Sequence, residues 1–293
     1  MRTALAPNPA ISPATDPAMT TTEPAAASQM PGRATAPAYV SIEGVGKSYG
    51  SRHGAVHALA GIDLEVREGE FLSILGPSGC GKSTLLKCIG GLERVTKGSL
   101  AVRGQPLSGP PAKAGMVFQR DVLLDWRTIL DNVLITAEFL GQSREALKPR
   151  ALQLLQRFGL SGFENRHPWE LSGGMRQRAS ICRALLCDPE LLLMDEPFGA
   201  LDAMTRDDLN LELARIWQDT RKTVVFVTHG IAEAIFLSDR VVMMDRNPGR
   251  IVEVMEIDLP RPRTLAMRET PEFGRYVAHI RHLFAGLGIL KEG

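Results

Sequence analysis

Nine consecutive residues, Gly76-Pro77-Ser78-Gly79-Cys80-Gly81-Lys82-Ser83-Thr84, satisfy the pattern G-x-x-x-x-G-K-[ST] in full. The chemistry that spacing suits is phosphate binding. Glycines let backbone N–H groups wrap an anion, and a helix opening at Lys82 adds the partial positive charge of its N-terminus. Lys82 would reach the β- and γ-phosphates of a nucleotide, and the Ser83 hydroxyl would ligate Mg²⁺. A second group supplies what such a loop lacks. The apolar run Leu191-Leu192-Leu193-Met194 delivers Asp195 and Glu196 at its carboxyl end. Asp195 can hold the Mg²⁺ shell, and Glu196 is placed to polarise a water for attack on the γ-phosphate. Alone, an apolar run ending in Asp-Glu is an ordinary solvated strand end; beside a phosphate loop it completes a hydrolytic site.

These residues need elements to hold them. Three short unbroken apolar runs, 71–75, 191–194 and 224–227, suit strands buried on both faces of a parallel sheet. Helical patterns separate them, which implies an α/β core with crossover helices, one of them over 82–89. Before that core, Val40 and Ile42, then Ile62, Leu64 and Val66, then Leu100 and Val102, alternate with polar or small residues as half-buried strands do. Residues 120–170 lack strand signals. Leu147, Ala151, Leu154, Leu155 and Phe158 have helical spacing, with Pro149 marking a helix start or a kink. After 241–244 a tail carries 251–259. A Pro-Arg-Pro-Arg segment at 260–263, with Arg261 and Arg263 expected in a solvated turn, then precedes a terminal helix.

Composition narrows the class. The 293 residues carry 34 Lys+Arg against 33 Asp+Glu, so no bulk charge points to nucleic acid. Apolar residues at 44% and charged ones at 23% are globular values and exclude collagen-like or wholly disordered chains. Cys80, Cys88, Cys182 and Cys187 form no C-x-x-C pair and read as free thiols in a reducing compartment. No stretch approaches the roughly 20 apolar residues of a membrane span, and no secretory h-region opens the chain. Residues 1–38, rich in Ala, Pro and Thr, read as a disordered extension, with Met19 or Met30 as alternative starts. His279 and His282 lack the Cys or acidic company of a zinc site.

With the phosphate loop and the Asp-Glu pair in place, Glu170-Leu171-Ser172-Gly173-Gly174-Met175-Arg176-Gln177-Arg178 resembles the signature motif of ATP-binding-cassette (ABC) ATPases, with Met175 where Gln is usual. Ser172 can cap the following helix, and Gly173 and Gly174 let its N-terminus approach a phosphate. Other landmarks fall in family order over residues 39–258. Tyr49 matches the aromatic residue that stacks on adenine, Gln119 the loop glutamine that contacts Mg²⁺, Asp202 of Gly199-Ala200-Leu201-Asp202 the dimer loop, and His229 the switch histidine at the γ-phosphate. The stretches 124–133, 198–206 and 246–251 are similar to nitrate, sulfonate and taurine importer ATPases.

The resemblance implies a P-loop NTPase core of α/β class with an N-terminal antiparallel β subdomain and a helical signature subdomain, occupying 39–258, and a C-terminal tail over 259–293. It implies ATP and Mg²⁺ as ligands, a head-to-tail homodimer with two ATPs at its interface, and a membrane permease docked near Gln119 to Asn132, where Leu123, Leu124 and Trp126 would line the groove. An extracytoplasmic solute-binding protein would act indirectly, and the subunit would lie peripherally on the cytoplasmic side of the inner membrane. A soluble ATPase of the same type, uncoupled from transport, is the alternative. A repair ATPase would need a long coiled-coil or zinc insertion, and a translation-factor relative would carry two cassettes; the chain has neither.

Overall fold

The computed structural model describes residues 37–51, 54–199 and 201–290. The expected disorder of 1–38 therefore falls almost wholly outside the described residues, as does Ala200. The described residues form one compact unit.

Two sheets organise it. Strands β1 (Ala38–Ser51), β2 (Gly54–Arg67), β4 (Lys97–Val102) and β5 (Gln105–Pro106) make an antiparallel sheet in the order β2-β1-β4-β5. Strands β3 (Phe71–Leu75), β6 (Ala114–Val117), β7 (Leu191–Asp195), β8 (Thr223–Thr228), β9 (Arg240–Asp245) and β10 (Arg250–Glu256) make the second, in the order β10-β9-β3-β8-β7-β6. It is parallel except for β10, which turns back antiparallel on β9.

The unbroken apolar runs are explained by two cores, one on each face of this sheet. Side-chain alternation sends Leu72, Ile74, Leu191, Leu193, Val225 and Val227 toward helix α1 (Lys82–Ile89) and the antiparallel sheet. Phe71, Leu75, Leu192, Met194, Val224 and Phe226 face the remaining helices. Those are α2 (Ile129–Phe139), α3 (Arg144–Arg157), α4 (Gly173–Leu185), α5 (Ala203–Thr220), α6 (Ile231–Leu237) and α7 (Pro271–Gly286). Helix α3 begins before Pro149 rather than at it. Ser143 caps it by accepting from the Ala146 N–H at 3.3 Å, and the proline is carried inside the helix.

The expectation of a solvated turn at Arg261 and Arg263 is wrong. Arg263 is 4% exposed and donates to the carbonyls of Ile235, Phe236 and Ser238 at the end of α6 and of Ile257 and Leu259. Arg261 pairs with Asp239 at 3.0 Å and lies 4.0 Å above the Trp217 ring. A guanidinium supplies five donors in a planar fork, which suits a cluster of helix-end carbonyls that water cannot reach. Phe273, Ile280 and Phe284 of α7 join the same core, so the described residues from 259 to 290 pack as an integral layer.

Candidate functional site: a phosphate loop at the strand ends

The parallel register aligns four strand ends. Leu75 of β3 lies opposite Thr228 of β8, Val227 of β8 opposite Asp195 of β7, and Met194 of β7 opposite Val117 of β6. The residues that follow, Gly76, His229, Glu196 and Gln119, are thereby delivered to one edge of the sheet, where open α/β sheets bind ligands. Residues 33 to 153 positions apart in the chain meet there because of strand order alone.

From β3 the chain turns through Gly76 to Gly81 into α1. Gly81 has φ +93°, and a Cβ there would stand 2.7 Å from Leu59 Cδ2 and 2.8 Å from the Ala58 carbonyl, so only glycine fits. The Cys80 side chain is fully buried, which pushes its thiol pKa up; it fills space beneath the loop. Lys82 is 5% exposed and its Nζ donates to the carbonyls of Gly76 and Pro77 at 2.9 and 3.0 Å, curling the loop around the ammonium. The same Nζ is 3.9 Å from Glu196 Oε1. Ser83 Oγ donates to Asp195 Oδ1 at 2.8 Å. Burial raises the Asp195 pKa against the opposing pull of that hydrogen bond.

Glu196 is the meeting point. Its Oε2 accepts from Gln119 Nε2 at 3.3 Å and lies 3.4 Å from His229 Nδ1. Its backbone has φ +45°, a conformation that costs a non-glycine residue about 1–3 kcal/mol and is stored where the surroundings enforce it. Here the Glu196 N–H is fixed to the Val227 carbonyl at 2.9 Å.

A cavity of about 370 Å³ opens above the loop, lined by Ser78, Gly79, Gly81, Lys82, Ser83 and Thr84 together with Gln119 and Glu196. Four lining residues were not foreseen: Val56, His57, Ala58 and Asn247. Val56 pairs across β1–β2 with Tyr49, which places the 37%-exposed Tyr49 ring beside the cavity rather than in its wall. Asn247 (φ +65°) comes from the turn between β9 and β10, and only its Asn-Pro-Gly turn signature was visible in the sequence. Gly76, Pro77, Cys80 and Asp195 support the cavity from behind. His229 lines a second cavity, which shares Glu196 with the first.

Two expected groups stand apart. Ser172 caps α4 by accepting from the Met175 N–H at 3.3 Å, and Ser172 and Gly173 are exposed, outside the cavity. Gly174 packs against Leu201, where a Cβ would meet Leu201 Cδ2 at 2.6 Å. Asp202 caps α5 by accepting from the Thr205 N–H at 2.9 Å, a bond that lowers its pKa. Helix α4 is nonetheless tied to the site: Gln177 Nε2 donates to the Phe118 carbonyl, next to Gln119.

A cavity floored by backbone N–H groups and a buried lysine accepts a polyphosphate. Ser83 Oγ, the Asp195 carboxylate and the amide oxygen of Gln119 are hard oxygen donors of the kind Mg²⁺ takes. The ABC transporter family profile matches residues 59–199. An uncharacterised ABC transporter ATP-binding protein of Methanocaldococcus jannaschii is 46% identical over 241 residues, covering 82% of this chain and 90% of that protein. The aliphatic sulfonates import ATP-binding protein of Bacillus cereus is 42% identical over 238 residues, covering 81% and 94%. A dimeric ATP-binding cassette solved in a post-hydrolysis state with ADP and phosphate superposes with a TM-score of 0.69 at 33% identity, over 75% of this chain and all of that one. This chain belongs to the ATP-binding-cassette family of transporter ATPases.

Proposed function

We propose that the chain is the ATP-hydrolysing subunit of an importer for a small anion of the sulfonate, taurine or nitrate type, working beneath a separate membrane permease. The observation that carries this reading is the row of strand ends, which sets Lys82, Ser83, Asp195, Glu196, Gln119 and His229 around one phosphate loop. The sulfonate-import name of the Bacillus cereus relative supports the cargo class.

Residues 39–258 would form the nucleotide-binding domain, with 259–293 as its C-terminal tail. Tyr49 stacks on the adenine. Backbone N–H groups of 76–84 and the Lys82 ammonium hold the β- and γ-phosphates, and Thr84 extends the loop into α1. Ser83, Gln119 and Asp195 would hold Mg²⁺, which when bound neutralises charge on the phosphate oxygens. Glu196 takes the proton of the attacking water, and His229, beside it, donates to the γ-phosphate oxygens. Ser172 and Gly173 are exposed in the single chain because, with Gly174, they serve the ATP of a second copy packed head-to-tail, with Asp202 at the junction. The exposed Val122 and Trp126, 53% and 75% accessible, lie in the 119–132 stretch that receives the permease. An extracytoplasmic binding protein delivers the cargo, and the subunit sits peripherally on the cytoplasmic face of the inner membrane. Among the described residues no helix is long and apolar enough to cross a membrane.

Equilibrium ATP binding tests the site. Lys82→Ala removes charge-assisted bonds of about 1.5–3 kcal/mol, so affinity falls about 10- to 100-fold. Unchanged ATP affinity in that variant contradicts the assignment.

A further inference from the structure

Beyond Glu196 and His229, away from the phosphate loop, lies a cavity of about 500 Å³ between the start of α5, the start of α6 and the C-terminal layer. Three arginines from three elements line it: Arg206 of α5, Arg268 of the 3-10 turn Leu265–Glu269, and Arg281 of α7. Arg206 uses one Nη to hold the Leu201 carbonyl, and its buried Nε has no partner. Arg268 pairs with Asp207 and covers the Phe236 ring at 4.8 Å, while its buried Nε is likewise unpartnered. Arg281 makes no ion pair or hydrogen bond to any described residue.

The wall carries a second sign of a missing occupant. Asn210 is completely buried and lines the cavity, and its amide lies beside Glu233 with its Oδ1 and Nδ2, like Glu233 Oε1, short of bonding geometry. Buried amides left so are costly and ordinarily have a partner. Of the carboxylates present, Asp207 is paired with Arg268, and Glu233 lies in the field of Arg206. Arg281 is left with no carboxylate among the described residues, and with Arg206 and Arg268 lining the same cavity the three guanidinium groups suit a tetrahedral oxyanion.

We propose that this arginine-lined cavity is a secondary phosphate site that receives orthophosphate released at Glu196 and His229 and holds it before escape. The proposal rests on the hydrolytic reading above, since cleavage at the phosphate loop is the source of the ion. The volume admits a phosphate with several waters, at about 30 Å³ each. Entry lies on the γ-phosphate side, so the ion need not pass back across the nucleotide. A transported sulfonate shares the same tetrahedral chemistry and is the competing source.

The test is calorimetric titration of inorganic phosphate into the full chain saturated with the non-hydrolysable β,γ-imido analogue of ATP, which occupies the γ-phosphate position. One phosphate per chain is expected. Arg281→Ala should weaken it about tenfold or more, whereas Arg275→Ala, on the same helix but outside the cavity, leaves it unchanged. Absence of phosphate binding with the analogue bound, or equal affinity in Arg281→Ala, overturns the proposal. Tighter binding of methanesulfonate than of phosphate overturns the product as source. Failure of the analogue itself to bind is a separate result and strikes the nucleotide-site reading.

Discussion

Glu196 is claimed by three neighbours at once: the Lys82 ammonium, the Gln119 amide and the His229 ring. With γ-phosphate and water between them, these groups separate into phosphate holders and one base. Glu196→Gln keeps the shape and its Gln119 contact but removes the proton acceptor, so kcat should fall about 10²- to 10⁴-fold with ATP affinity preserved. Single-turnover hydrolysis read beside equilibrium binding checks this, and unchanged turnover removes Glu196 as base. Glu233, four residues beyond His229, gives a pH signature. Thr228 Oγ donates to its carboxylate, yet burial dominates and raises its pKa. The folded state thus binds the proton more tightly than the unfolded chain. Its contribution is fully present below the ordinary carboxylate range and is lost as pH rises through the raised value. Glu233→Gln carries no such titration. The melting temperature of the variant relative to the parent should therefore climb as pH rises from the ordinary carboxylate range through the raised value; a difference independent of pH contradicts it. At this scale the sequence was informative wherever a residue type sat in a spaced motif. Lys82, Ser83, Asp195, Glu196 and His229 were legible, while His57 and Asn247 were not, because their place in the cavity depends on which strands become neighbours.

Among the elements, the turn between β9 and β10 shows how such a neighbour acts. Gly249 accepts from the Ala60 N–H and donates to the Ala58 carbonyl, both at 3.0 Å, joining the turn to β2. A Cβ at Gly249 would lie 2.1 Å from the Cys80 carbonyl, inside the phosphate loop. Gly249→Ala must push turn and loop apart. Overpacking of this kind costs about 1–3 kcal/mol, and ATP affinity should fall alongside chemical-denaturation stability. A variant with full stability and full affinity is the contrary result. The C-terminal layer yields a different signature. Arg263→Met strands the helix-end carbonyls of Ile235, Phe236 and Ser238 and should cost about 3 kcal/mol of stability, with ATP affinity of the folded protein retained. A Pro-Arg-Pro-Arg stretch reads as polar surface because its partners around the end of α6 lie 22 to 28 positions away and its burial is set by tertiary packing. Strand periodicity carried further. The three apolar runs became β3, β7 and β8, and the alternating ones the antiparallel sheet, since burial on two faces or one is written directly into residue spacing. Helix α3 was legible in its Leu and Ala spacing but not in its start, where the Ser143 cap outweighed Pro149.

For the whole molecule, the central point is that half of the proposed machinery faces away from the chain that carries it. Ser172 and Gly173 are exposed, Met204 beside Asp202 is 82% accessible, and Trp126 stands free near the groove. Isolated exposed apolar residues are common, but here they flank motifs whose chemistry needs a second ATP-bearing copy and a membrane partner. Dimer closure and permease contact should then govern the rate at which Glu196 works. The most direct measurement is ATP hydrolysis by the subunit in complex with its permease in lipid, with and without the binding protein loaded with a small sulfonate such as taurine. Hydrolysis that rises when the loaded binding protein is added, and is abolished by Glu196→Gln, is the predicted result. Steady hydrolysis indifferent to permease and loaded binding protein alike would contradict transport coupling.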